Sequence, residues 1–253
     1  MAKPILVANW KNHPSSIYEA KEILRGLTRK KLLFKKLFTF IAPPTLYIEA
    51  VANGSKSFAT LASQDIPTTP KGTYTGEISI DMLKSFGTRL AIVGHSERRA
   101  LGEMSEVVSK KVLIALKSGI SPLICVGEKE RDADGEYFEF LRDEIKLALQ
   151  NVGKSAIASV LIAYEPVWAI GKSAKEALPP QELAQSVLFI RKVLTDLYGR
   201  ALADKVSILY GGSVEPENAG LLMRESGVRG FLVGHASLKP KSFEQIALSM
   251  ITK

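Results

Sequence analysis

A single acid, Glu165, stands where an apolar run, Val160 to Tyr164, meets Pro166. Proline donates no ladder hydrogen bond and pushes the residue before it toward extended geometry, so the run reads as a strand with Glu165 at its tip. Beyond it come Val167, Trp168, Ala169, Ile170 and Gly171, an apolar composition for a loop. Such a segment suits a lid. A carboxylate desolvated when a lid closes binds a proton more tightly, which is the property of a base. Two further groups have complementary chemistry. His95 precedes Ser96-Glu97-Arg98-Arg99, which reads as the start of a short helix. An imidazole at a helix amino end is disfavoured as a cation and can donate a hydrogen bond while neutral. Lys11, after Asn9 and Trp10, supplies a fixed positive charge. Base, neutral donor and cation together would remove a proton beside a carbonyl and hold the resulting enediolate.

The elements that must position these groups alternate. Short β-prone runs occur at Ile5 to Ala8, Phe38 to Ala42, Phe58 to Ala62, Leu90 to Val93, Pro122 to Val126, Val160 to Tyr164, Val206 to Leu209 and Phe231 to Val233. Helical periodicity lies between them, as in Leu183, Val187, Ile190, Leu194 and Leu197 after Pro179-Pro180, and in Leu141, Ile145 and Leu149. Val108, Val112 and Leu116 form another stripe, with Ser105 as its expected N-cap and Gly119 as its stop. Alternating strands and helices require a parallel sheet, and eight units in this length predict a closed (β/α)8 barrel of class α/β. No linker or composition break divides the chain, so one domain is expected over residues 1–253.

In a barrel the chemistry belongs at the carboxyl ends of the strands. Asn9 and Lys11, His95 and Glu97, and Glu165 fall there, as do two small-residue turns, Gly211-Gly212-Ser213 and Gly234-His235-Ala236-Ser237. Small residues between a strand and a helix let backbone amides approach an anion, so these turns predict a phosphate site. Neither carries a dinucleotide fingerprint, which favours a small phosphoester. Taken singly, a lysine is usually solvated, a histidine usually structural and a Gly-Gly usually a turn; their meeting on successive strand ends carries the reading.

The composition narrows the alternatives. The chain has 253 residues, 46% hydrophobic and 24% charged, with a net charge of +8. Its densest basic cluster, Arg29-Lys30-Lys31 with Lys35-Lys36, reads as a helix end running into a connection, and no aromatic platform accompanies it. Neither nucleic acid nor a membrane is expected as a partner, no run nears the roughly 18 apolar residues of a membrane span, and no signal peptide is evident, so a cytoplasmic location is expected. Cys125 is the sole cysteine and reads as a core thiol. His13, His95 and His235 lack metal-ligand spacing, so no metal is expected, nor a cofactor.

The motifs resemble those of the triosephosphate isomerase family, in order and over nearly the whole chain. They are Asn9-Trp10-Lys11, Gly72 to Glu77, Gly94 to Arg99, Cys125 to Glu128, Ala163 to Gly171, Tyr210 to Val214 and Gly234 to Leu238. The resemblance implies a TIM barrel, cofactor-free interconversion of dihydroxyacetone phosphate and glyceraldehyde 3-phosphate in glycolysis and gluconeogenesis, and a set of roles. Glu165 would carry the proton, His95 would polarise the oxygens, and Lys11 with Asn9 beside it would bind the anionic substrate. Glu97 would position Lys11; Gly171, Ser213 and Gly234 would contact phosphate, and Ile170 would press on the closed site. A homodimer is implied through the loop at Tyr74, Thr75 and Gly76.

Several residues depart from the family pattern. Asn12-His13 follows Lys11, leaving His13 to find a partner or solvent, and Gln64-Asp65 adds a negative charge near the implied interface. The lid reads Gly171-Lys172-Ser173-Ala174, with fewer glycines, which predicts altered opening kinetics. His235 replaces a glycine at the last turn, and a charged imidazole there would strengthen phosphate binding as the pH falls. Two rivals remain: another phosphosugar isomerase or lyase on the same barrel, and a binding or scaffold role for the basic surface.

Overall fold

The computed structural model describes residues 3–69, 72–132, 134–172 and 176–252. Eight parallel strands close on themselves in chain order: β1 (Ile5–Asn9), β2 (Phe38–Ala42), β3 (Thr60–Ser63), β4 (Leu90–Val93), β5 (Ser121–Val126), β6 (Leu161–Tyr164), β7 (Ser207–Tyr210) and β8 (Gly230–Val233). Closure is between β8 and β1, with Ile5 opposite Gly230 and Ala8 opposite Val233. The predicted barrel is therefore present. Its β3 begins two residues later than the sequence suggests, because the amides of Phe58 and Ala59 both turn back to the carbonyl of Ser55.

The strands are apolar on both faces because each face meets a different core. Ile5, Val7, Leu90, Ile92, Leu123 and Cys125 point into the barrel with residues of the other strands. The alternate positions, among them Leu6, Ala8, Ala91, Val93 and Ile124, pack outward against the helices. Cys125 is thus the core thiol its flanks predict.

Local signals set the helix starts. Ser16 accepts from the Glu19 amide and begins the helix Ile17–Thr28, while Pro180, Pro216 and Pro240 stand at first-turn positions where a missing N–H costs nothing. The helix Ser105–Lys117 corrects one expectation: Met104 occupies its N-cap, and Ser105 is the first helical residue. Each helix returns the chain to the amino ends of the strands, so every strand-to-helix loop opens at one mouth. Asn9 at the end of β1 lies opposite Ala42 at the end of β2, which marks that mouth.

Candidate active site

Lys11 is one turn past β1 in a left-handed conformation, φ 52°, which side chains rarely adopt. Three contacts hold it. Its amide donates to Oδ1 of the buried Asn9 at 3.0 Å, its carbonyl accepts from Nε2 of Gln64 at 2.7 Å, and its Nζ meets Glu97 Oε1 at 2.6 Å. The Gln64 amide also reaches the Ala42 carbonyl at 3.0 Å, which ties the lysine's backbone to β2. Nothing in the sequence marks Gln64 as a support for Lys11 beyond its place at a strand end.

His95 is the N-cap of the helix Ser96–Ala100, as its position predicts, and its imidazole does the capping: Nδ1 accepts from the Glu97 amide at 3.2 Å. A ring nitrogen that accepts from an amide carries no proton, so the ring proton sits on Nε2. That Nε2 faces Glu165 Oε1 at 3.4 Å. Both side chains are nearly sealed, His95 at 8% and Glu165 at 2% exposure.

Glu165 follows β6, and its backbone amide donates to the Val126 carbonyl of β5. Its Oε2 rests on the Ser96 amide at 3.3 Å, while Oε1 is buried without a hydrogen-bond partner. The backbone crowds it from two sides. A Cβ at Gly211 would lie 2.8 Å from Glu165 Cγ, and one at Gly127 would lie 2.0 Å from the Glu165 carbonyl. Gly211 thus does more than turn the chain toward an anion, because it leaves room for the carboxylate. Cys125 adjoins the same group: burial, reinforced by the Glu165 charge, raises its thiol well above the ordinary range.

The lid base hangs on a residue of the next loop. Glu128, 1% exposed, accepts from the Tyr164 hydroxyl at 2.8 Å and from Trp168 Nε1 at 3.0 Å, and its carbonyl accepts from the Val167 amide. Arg131 stands beside it, with Nε 3.6 Å from Glu128 Oε1 and Nη2 3.2 Å from the Tyr164 hydroxyl. Burial, followed by the Glu128 charge, pushes the Tyr164 phenol up. Trp168 is consequently half-buried and anchored, neither a core residue nor a free flap. Ser213 Oγ completes the base by donating to the Ala169 carbonyl at 2.9 Å. Ser173 and Ala174, on which the expected lid change falls, lie outside the described residues.

Lys11, His95 and Glu165 line one cavity of about 280 Å³. It is bounded by Asn9, Lys11, His95 and Glu165 on one side and by Ile170, Gly171, Ser213, Gly234 and His235 on the other. A Cβ at Gly234 would lie 3.8 Å from Lys11 Nζ, so the ammonium adjoins the last turn. Glu97 stands just outside, on a neighbouring cavity of about 300 Å³. His235 is exposed at the rim, and His13 is exposed away from it. The Asp65 charge is matched by Lys111 at 2.7 Å and Arg98 at 2.8 Å, although burial raises its pKa despite both cations.

A closed eight-stranded parallel barrel with an imidazole, a buried carboxylate and an ammonium converging beside small-residue turns defines a (β/α)8-barrel enzyme equipped for acid–base chemistry on an anionic substrate. The family model described as triosephosphate isomerase matches residues 4–250. A triosephosphate isomerase of Thermoanaerobacter sp. is 40% identical over 251 residues, covering 97% of this chain and 99% of the relative. Those of Roseiflexus sp. (40% over 249 residues, 97% of each chain) and Symbiobacterium thermophilum (38% over 249 residues, 97% and 96%) are similar to the same extent. The chain belongs to the triosephosphate isomerase family and, with it, to the isomerases.

Proposed function

We propose that this chain interconverts dihydroxyacetone phosphate and D-glyceraldehyde 3-phosphate, with Glu165, His95 and Lys11 performing the chemistry. Glu165 takes a proton from the substrate carbon beside the carbonyl. The electron pair moves onto the carbonyl oxygen, to which His95 Nε2–H donates, and an enediolate forms. Glu165 then returns the proton to the neighbouring carbon, while His95 Nε2 gives its proton to the former carbonyl oxygen and takes the one that the neighbouring hydroxyl loses, so that hydroxyl becomes the new carbonyl. Lys11, next to Asn9, offsets the negative charge of phosphate and enediolate; Gly171, Ser213, Gly234 and His235 border the phosphate, and Ile170 shields the site from water. The observation that carries this reading is the pairing of Glu165 Oε1, without a hydrogen-bond partner, with the proton-bearing Nε2 of His95 in one small cavity.

Proton NMR of dihydroxyacetone phosphate in heavy water tests it. Rapid conversion with deuterium uptake at the reacting carbon is expected, collapsing in Glu165→Gln. Wild-type protein that binds a phosphoglycolate-like anion but exchanges nothing would refute the reading.

The chain works as one domain and as a homodimer on this view. Tyr74, at 55% exposure, stands on the loop with Thr75 and Gly76, and Leu101 and Met104, at 86% and 66%, are bare on the loop after β4. A groove of about 470 Å³ between them, floored by Asp65 and Lys111, fits a loop of a second copy. Sedimentation equilibrium should give twice the chain mass, and Leu101→Asp should halve it. Among the described residues no helix is long and apolar enough to cross a membrane. The cytoplasm, where glycolysis runs, is the proposed location.

A further inference from the structure

The basic cluster near residue 30 takes no part in the site, and the structure gives it a shape that its sequence does not. A four-residue helix, Lys31–Phe34, interrupts the connection between the first long helix and β2. Its single turn sends Phe34 inward, fully buried, and leaves Leu32 outward at 72% exposure. Phe38, the first residue of β2, is 53% exposed on the same connection. Lys3 bridges to it: its Nζ donates to the Lys35 carbonyl at 3.0 Å and lies 5.9 Å from the Phe38 ring centre. On the same connection Arg29, Lys31, Lys35 and Lys36 are all exposed. Lys30 is matched by Glu244 at 2.8 Å; among the described residues the other four have no carboxylate within ion-pairing distance.

Cations at helix carboxyl ends offset the helix dipole, and that accounts for Arg29 and Lys30 after the helix Ile17–Thr28. It does not account for a bare leucine and a bare phenylalanine set among six cations. Solubility alone favours the charges and opposes the apolar residues. A surface that needs both is one that meets anionic headgroups and the acyl boundary beneath them, where cations gain Coulomb energy and a few large apolar side chains are buried.

We propose that the connection Arg29–Phe38, with Lys3, is a peripheral docking surface for anionic phospholipid bilayers. The expectation of no membrane partner rested on the lack of a spanning run and of a signal peptide; a peripheral surface needs neither. Its position leaves the isomerase free to work. Phe38 begins β2 and Ala42 ends it beside Asn9, so the patch and the catalytic mouth are at opposite ends of the barrel, separated by roughly 13 Å of strand. A docked molecule would hold its cavity open to the solution.

Vesicle sedimentation tests this with the intact protein. Wild type should partition onto phosphatidylcholine vesicles containing about a third phosphatidylserine, and not onto phosphatidylcholine alone. Raising salt from about 0.1 M to about 0.5 M should release it, since such contacts are screened. Lys35→Glu/Lys36→Glu should weaken partition by at least about tenfold. Leu32→Ser, which leaves the charge unchanged, should weaken it roughly fivefold to tenfold. Both variants should keep wild-type kcat/KM, which also verifies that they fold; Lys35→Gln/Lys36→Gln is the milder control. No partition of wild type, or partition indifferent to the charge reversal, overturns the proposal. So does binding unchanged by Leu32→Ser and fully competed by a short RNA, which would mark a surface for polyanions in general.

Discussion

Two carboxylates at adjacent strand ends, Glu128 after β5 and Glu165 after β6, are equally sealed from water at 1% and 2% exposure, yet their surroundings are opposite. Glu128 receives the Tyr164 hydroxyl on both oxygens and Trp168 Nε1 on one, with the Arg131 guanidinium alongside. Glu165 has one amide, that of Ser96 at 3.3 Å, and one oxygen with no hydrogen bond. A buried carboxylate saturated by donors is a fixed strut, because any movement breaks several charge-assisted bonds. One held by a single long bond to an amide has room to move. Burial alone therefore does not separate structural acids from reactive ones; the count of donors does.

Replacing each acid should produce opposite losses. Glu165→Gln should lower kcat by roughly three orders of magnitude, the scale of a general base, and leave the melting temperature unchanged or raised. Glu128→Ala should do the reverse. It strands a phenol O–H and an indole N–H in the interior and leaves Arg131, among the described residues, with Glu182 alone as its carboxylate, and chemical denaturation should show a loss of about 3 kcal/mol. A large stability loss in Glu165→Gln would erase the contrast. Gly211→Ala sharpens it from the other side, since its new methyl would push on Glu165 Cγ without touching Glu128. An ångström-scale displacement of the base should cost roughly 10²-fold in kcat, with little change in the affinity for a phosphate-bearing inhibitor.

Much of this arrangement was readable in the chain, and the limits have physical causes. All eight strands showed as apolar runs because both their faces are buried, and Pro166 announced Glu165 because proline ends a strand by its own covalent geometry. Lys11, His95 and Glu165 stood out because charged or titratable residues at strand ends are conspicuous among apolar neighbours. Gln64, Glu128 and Arg131 did not, since a support is defined by what it touches across the barrel: Gln64 reaches back to Lys11, and Arg131 extends to Glu182 at 2.6 Å. Such distances exist only after closure. The role of Gly211 was similarly hidden, because the space a glycine leaves belongs to its neighbour. The one-residue error at Ser105 arose because the backbone at Met104 makes the cap without a side-chain bond.

A third buried acid sets the scale between the two extremes. Glu144, in the helix Glu136–Ala148, accepts from the Gly127 amide at 2.8 Å and faces Arg99 Nη2 at 3.1 Å. Burial outweighs both favourable contacts and raises its pKa from 4.5 to about 7. Between those two values the folded chain holds a proton that the unfolded chain has released, so folding is favoured on the acid side of the window. Stability from this group is present below about pH 5, declines as the pH rises, and is gone above about pH 7. The loss between pH 5 and pH 8 should be ~2 kcal/mol, at 1.36 kcal/mol for each unit of displacement. Denaturation midpoints measured across that range, in wild type and in Glu144→Gln, would isolate it. The amide keeps an acceptor for the Gly127 N–H but does not titrate, so the variant's profile should be flatter by that amount. Equal slopes would mean that Arg99 compensates the buried charge in full, which would place Glu144 beside Glu128 among the fixed struts.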